Sequence, residues 1–166
     1  MVKKVILDVD TGSDDAVALM TAVLHKDVEL IAACSVAGNK DIEKTTENTL
    51  RVMEALNADV PVYRGCAEPL VKFLCQNRIP LPEYKPVMID GKPLEMHSDY
   101  LDLPESTRQP EELSAPMFYL EYLRKATEPV TIIAVGPLTN LAVALTMDPA
   151  VFRHNVEQIV IMGGGV

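Results

Sequence analysis

Four carboxylates crowd into eight residues of the run Asp8-Val-Asp-Thr-Gly-Ser-Asp-Asp15, where an apolar strand gives way to a turn. Unpaired acids so close together repel and raise one another's pKa. A hard divalent cation that accepts oxygen ligands removes the conflict. Asp10, Asp14 and Asp15 are therefore the first candidates for chemistry. A plainer account has Asp14 and Asp15 merely complementing the positive end of a helix dipole, with Ser13 as the cap. That account explains neither Asp8 nor Asp10.

The elements that must position these acids follow from periodicity. Residues 3 to 9 read as a buried strand, 14 to 25 as a helix, 28 to 36 as a strand, 41 to 57 as a helix and 60 to 63 as a strand. In the first helix Val17, Met20 and Leu24 recur at helical spacing, and in the second Leu50, Met53 and Leu56 do, which predicts one sheet-facing stripe on each. Crossovers this short imply parallel strands with right-handed connections. Residues 58 to 116 change texture, because nine of the twelve prolines fall there and periodicity fades. This is the signature of a loop-rich segment, a lid or an irregular insertion. A helix over 114 to 127 (Met117, Leu120, Leu123), a strand over 130 to 135, a helix opened by Pro137 (Leu138, Leu141, Ala142, Leu145) and a strand over 158 to 162 complete the pattern. The expectation is an α/β fold: an open, doubly wound, mostly parallel sheet with helices on both faces, forming one domain over 1 to 166. A buried-strand pattern followed at once by Gly163-Gly-Gly-Val166 feeds another helix, so the chain reads as the front part of a longer protein.

Composition bounds the partners. A net charge of −9 argues against nucleic-acid backbone or anionic membrane and is compatible with holding a cation. No segment has the apolar length of a bilayer span, and the amino-terminal residues run straight into a strand, which makes the cytoplasm the default location. Cys34, Cys66 and Cys75 lack metal-type spacing and read as reduced thiols. The exposed edge of an unfinished sheet would be prone to pairing or aggregation, which leaves room for a homo-oligomer. His25 and His154 fall at helix carboxyl ends, where a structural role suffices.

In open parallel sheets ligands gather beyond the carboxyl ends of the strands where strand order reverses, usually between the first and fourth strands. Asp10 ends the first strand; Val135 and Gly136 end the fourth. A doubly wound sheet would make them neighbours, so the Val135 carbonyl could supply a further oxygen ligand and Asn39 would point into the same crevice. Calcium takes more oxygens than Asp10 and Asp15 provide, so backbone, water or further chain must contribute.

The run from Asp8 to Ala16 resembles the signature of the inosine-uridine-type nucleoside hydrolases. Val36-Ala-Gly-Asn39, Gly136-Pro-Leu-Thr-Asn-Leu-Ala142 and Met162-Gly-Gly-Gly165 resemble its later blocks, in the same order. The resemblance implies calcium-dependent hydrolysis of the N-glycosidic bond of ribonucleosides, with Ca2+ as cofactor and a ribonucleoside as partner. It implies that Asp10 and Asp15 bind the metal with the Val135 carbonyl and that Asp10 is the catalytic base. Asp14 would hold a ribose hydroxyl and Asn39 would contact the sugar. Asp8 fits a supporting role that orients the others. The family takes a fourth metal ligand, an aspartate beside a histidine, and further sugar-binding residues from beyond the Met-Gly-Gly block, so this chain alone is expected to be inactive or nearly so. Around His97 the family often shows His-Gly followed by Gly-Leu, whereas this chain has His97-Ser-Asp-Tyr-Leu101. His97 is either a substrate-binding residue or a solvated loop histidine. Two other readings compete: a haloacid-dehalogenase-type phosphatase with Asp8 as nucleophile and magnesium as metal, and a non-catalytic calcium- or ribose-binding module.

Overall fold

The computed structural model describes residues 2–71, 87–89, 92–93 and 97–163. The expectations for Cys75 and for the final glycine run beyond Gly163 lie outside the described residues. In chain order the elements are β1 (Lys3–Val9), α1 (Ser13–Leu24), β2 (Val28–Ser35), α2 (Ile42–Ala55), β3 (Val62–Arg64), β4 (Met88–Ile89) and β5 (Lys92–Pro93). They continue with α3 (Ala115–Lys125), β6 (Val130–Ala134), α4 (Thr139–Met147), α5 (Pro149–Asn155) and β7 (Val156–Ile161). Five strands form one sheet in the order β3-β2-β1-β6-β7, and every neighbouring pair is parallel. β4 and β5 make a separate antiparallel pair inside the proline-rich segment. The order reverses between β1 and β6, as expected of a doubly wound sheet.

The strands alternate their side chains between two apolar layers, the period-two rule of an extended chain. Ile6, Cys34, Ile132 and Ala134 pack with Tyr119, Leu120, Leu123, Leu141 and Phe152 of α3, α4 and α5. Leu7, Val9, Ala33 and Val62 pack with Leu19, Leu50 and Met53 of α1 and α2. This parity has a consequence for chemistry. Asp8, two residues from Ile6, points into the α3–α4 layer, whereas Asp10 lies beyond the strand end.

Helix ends agree with local chemistry. Asp41 caps α2 by accepting from the Lys44 amide at 3.1 Å, and Asp148 caps α5 by accepting from Val151 at 3.3 Å, with Pro149 in its first turn. α5 is a separate short helix that the apolar spacing did not resolve. α1 begins after Gly12 rather than after a Ser13 cap. The Asp15 carboxylate reaches back to the Gly12 amide at 3.4 Å.

That anchor corrects the expected orientation of α1. With Asp15 turned inward, Ala16, Leu19 and Ala22 follow on the buried side, and small residues let the helix approach the sheet closely. Val17 and Leu24 of the expected stripe are 61% and 73% exposed. Met117 and Leu145 likewise face outward, while Leu120, Leu123 and Leu141 are buried as expected. Leu19→Ala should therefore cost about 2–5 kcal/mol of unfolding free energy, whereas Val17→Ser and Leu24→Ser should each change it by about 0.5 kcal/mol or less. Urea unfolding of the three variants checks this, and equal losses at all three positions would refute the assigned helix face.

Candidate active site

Asp8, Asp10 and Asp15 are buried, at 0%, 6% and 2% exposure, while Asp14 stands exposed at the mouth. Among the described residues no lysine or arginine pairs with any of the buried three. Asp10 is held from two sides. The Asn39 amide donates to its Oδ2 at 2.7 Å, and the Asn39 side-chain nitrogen donates to the Asp10 carbonyl at 3.2 Å. Gly38 and Gly136 press against the same carboxylate, and a β-carbon on Gly136 would sit 2.8 Å from Asp10 Oδ1. Side chains at those two positions would displace the acid, so the backbone after β2 and after β6 closes around it.

Asp15 donates no bond and receives one long one, and its Oδ1 is buried without a partner. Such an orphan calls for an explanation, because an unsatisfied buried carboxylate oxygen is costly. Burial pushes the Asp15 carboxyl up to about 6, and the Asp10 charge adds to the rise. Burial likewise raises Asp10, against the lowering effect of the Asn39 amide. A cavity of about 70 Å³ lies between Asp14, Asp15, Ala18, Val135 and Met162, which places Val135 beside the acids, and its amide donates to the Asp8 carbonyl at 2.9 Å. A larger cavity of about 380 Å³ opens against α3 near Tyr63 and Phe118, but its Lys4 and Lys125 are already paired with Glu128 and Glu121. The acids Asp14 and Asp15 line the smaller one.

Behind this cup, Asp8 accepts from the Tyr119 hydroxyl at 2.8 Å and from Asn140 Nδ2 at 3.1 Å. Asn140 also donates to the Ser35 carbonyl at 3.0 Å and accepts from the Cys66 amide at 2.8 Å. One amide thus joins the ends of β1 and β2, the loop after β3, and α4. Burial raises the Asp8 carboxyl to about 7, the bonds from Asn140 and Tyr119 opposing the rise. Both Asp8 oxygens are sequestered from solvent, which disfavours a nucleophilic role and with it the phosphatase reading. Asn140 lies within the Gly136–Ala142 block singled out in the sequence, whereas Tyr119 was not singled out there. Its signal was available: a phenol in an apolar stripe needs a polar partner, and strand parity aims Asp8 at that stripe.

His97 comes to the acidic loop. Its Nδ1 is buried without a hydrogen bond, lies 3.9 Å from Asp14 Oδ1, and rests where a β-carbon on Gly12 would be. Asp10, Asp15, Val135, Asn39, Asp14 and His97 therefore share one end of the sheet. Among the described residues no three His, Cys, Asp or Glu side chains converge as a metal cluster.

Fold and site together define an α/β protein with an acidic cup at its topological switch point. The family model of the inosine-uridine preferring nucleoside hydrolases matches residues 5–166. The chain belongs to that family. It is 40% identical over 163 residues to the non-specific ribonucleoside hydrolase RihC of Klebsiella pneumoniae strain 342, covering 96% of this chain and 48% of that protein. It is 35% identical over 162 residues to the pyrimidine-specific ribonucleoside hydrolase RihB of Escherichia coli O9:H4, covering 98% and 48%. Among solved structures, an inosine-guanosine nucleoside hydrolase superposes with a TM-score of 0.79 at 31% identity, covering 99% of this chain and 50% of that one. A purine-preferring ribonucleoside hydrolase from Gardnerella vaginalis gives 0.78 at 29% identity, covering 98% and 49%. The chain spans about half the length of the relatives it matches.

The raised carboxyls make stability pH-dependent with a definite sign. Asp8 and Asp15 keep their protons in the folded state up to about 7 and about 6, whereas the unfolded chain releases them near the ordinary value of 3.8. Over that window the unfolded state binds fewer protons, so cation-free stability falls as pH rises. Between pH 5 and 7, roughly 3–4 kcal/mol should be lost, and Asp8→Asn should flatten the slope. Unfolding midpoints across this range test it; a wild-type stability that climbs with pH, or an unchanged slope in Asp8→Asn, contradicts the assignment.

Proposed function

We propose that this chain carries the metal-binding and sugar-binding half of a ribonucleoside hydrolase that cleaves the N-glycosidic bond to free base and ribose. The observation that carries the reading is the meeting of Asp10, Asp15 and Val135 at the β1–β6 switch point. The relatives' names span non-specific, pyrimidine-specific and purine-preferring enzymes, and what they share is the ribonucleoside.

The donor set suits calcium. Two carboxylates with raised pKa, one of them with an orphaned buried oxygen, and a backbone carbonyl just past β6 are hard oxygen ligands. Asp10, Asp15 and the Val135 carbonyl would hold the ion. When bound, calcium cancels the repulsion between the acids and makes a neighbouring water more acidic. Asp10 takes the water's proton. Its Oδ2 is occupied by the Asn39 amide and its Oδ1 is clasped by Gly136, so the carboxylate is held in one orientation, and burial brings its basicity toward neutral pH. The sugar develops oxocarbenium character as the base departs, and the negative cup stabilises it. Asp14, exposed at the mouth, accepts a ribose hydroxyl. Asn39 already spends its backbone amide and one side-chain bond on Asp10, which leaves its side-chain oxygen for the sugar. His97 closes the other side of Asp14.

Two carboxylates and one carbonyl leave a calcium ion short of oxygens, so the 166-residue chain alone should release little free base from inosine or uridine. Mixed with the carboxyl-terminal half of RihC or RihB, it should gain calcium-dependent turnover, and Asp10→Asn should lower that turnover by a factor of about 100 or more. Free-base release with and without chelator is the assay. Phosphate release from phosphomonoesters, or turnover indifferent to Asp10→Asn, would overturn the reading.

A further inference from the structure

One face of α2 serves as a rack for the segment 97–108. Glu47 accepts from the Ser106 amide at 3.1 Å, Arg51 donates to the Leu101 and Leu103 carbonyls at 3.3 and 3.1 Å, and Glu54 accepts from Ser106 and Thr107. Lys40 and Lys44 pair with Asp99 at 2.9 and 3.2 Å. Asn48 stands in this row and also reaches the acidic loop. Its Nδ2 donates to the Thr11 carbonyl and to the Asp99 carbonyl, both at 3.2 Å, and its Oδ1 accepts from the Leu101 amide at 3.0 Å. The residue is 1% exposed. Both amide hydrogens are spent on separate backbone segments, one on each side of the site. Beside it, the Thr49 and Thr11 hydroxyls bond at 2.7 Å, fixing the same turn.

The structure assigns Asn48 as a positioning residue that locks His97 against the acidic loop. Asp99 is two residues from His97, and Thr11 precedes Gly12, the residue on which the His97 ring rests. A planar amide with two donors and one acceptor is matched to two carbonyls and one N–H. Aspartate has the same shape but no donors, and its charge would face two carbonyl oxygens. Alanine leaves those carbonyls and the Leu101 amide without their buried partner. In either variant the strap and the turn come apart, and His97 leaves Gly12 and Asp14. Glu54 holds the far end of the same strap without touching the acidic loop, so it separates coupling from general anchoring. His97 as a substrate-facing group rests on the hydrolase reading, but the juxtaposition itself does not.

The test is the nuclear Overhauser contact between the His97 ring protons and Gly12 Hα in the 166-residue chain, with far-UV circular dichroism as the check on folding. The contact is expected in the wild type and in Glu54→Ala, and is expected to be lost in Asn48→Asp and Asn48→Ala with helix content kept. If one Asn48 variant does not fold, the other decides. A contact that survives in a folded Asn48 variant, or that is lost equally in Glu54→Ala, overturns the assignment. Neither result depends on nucleoside turnover, so failure of the hydrolase reading would show separately as absent free-base release.

Discussion

Repulsion among carboxylates held out of water is the constraint on which the rest of this molecule depends. Asp10 and Asp15 are buried at the end of β1 within each other's field, with Asp14 beside them, and burial raises the two inner acids. The backbone offsets part of the cost. Asn39 and Gly12 amides donate to the carboxylates, and the amino terminus of α1 presents its positive end to the same loop. The remainder is what the proposed cation would offset. Asp15 Oδ1, buried and unbonded, marks where protein donors run out.

The fold delivers that arrangement through geometry that other residues make rigid. Strand parity sends Asp8 into the α3–α4 layer, where Tyr119 and Asn140 tie it down, so the acid behind the cup supports the cup. The reversal of strand order brings the turn after β6 against the loop after β1, and glycines at 38 and 136 let both backbones close on Asp10. Across the site, the polar face of α2 brings a distant, proline-rich stretch back over Gly12. The loop that carries His97 packs Leu101 and Leu103 against the α1–α2 layer, and side chains that bond its backbone fix its path.

Much of this was legible in the residues because two signals agreed. Alternation between apolar runs and helical periodicity marked β1, β2, β6 and β7, and the acids at the end of β1 marked the switch point. Val135 and Asn39 followed from topology alone. The face of α1 was not legible: Val17, Met20 and Leu24 make as good an apolar stripe as Ala16, Leu19 and Ala22, and only the inward turn of Asp15 decides between them. Tyr119 and Asn48 were missed for a related reason. Their partners are backbone and carboxylate groups 111 and 37 residues or more away, and no local period reports a hydrogen bond across such a distance. His97 could be placed only as one of two alternatives because the segment before it has no periodicity to set its course.

The claim beneath all of this is that the acids converge on one cation. Paramagnetic relaxation by a lanthanide ion substituting for calcium would locate it directly. Signals from Asp10, Asp15 and Val135 should broaden first and together, with Asn39 and Gly136 next and β7's outer residues little affected. Broadening centred on the exposed Asp41–Asp99 cluster, or spread evenly over the acidic surface, would contradict the account.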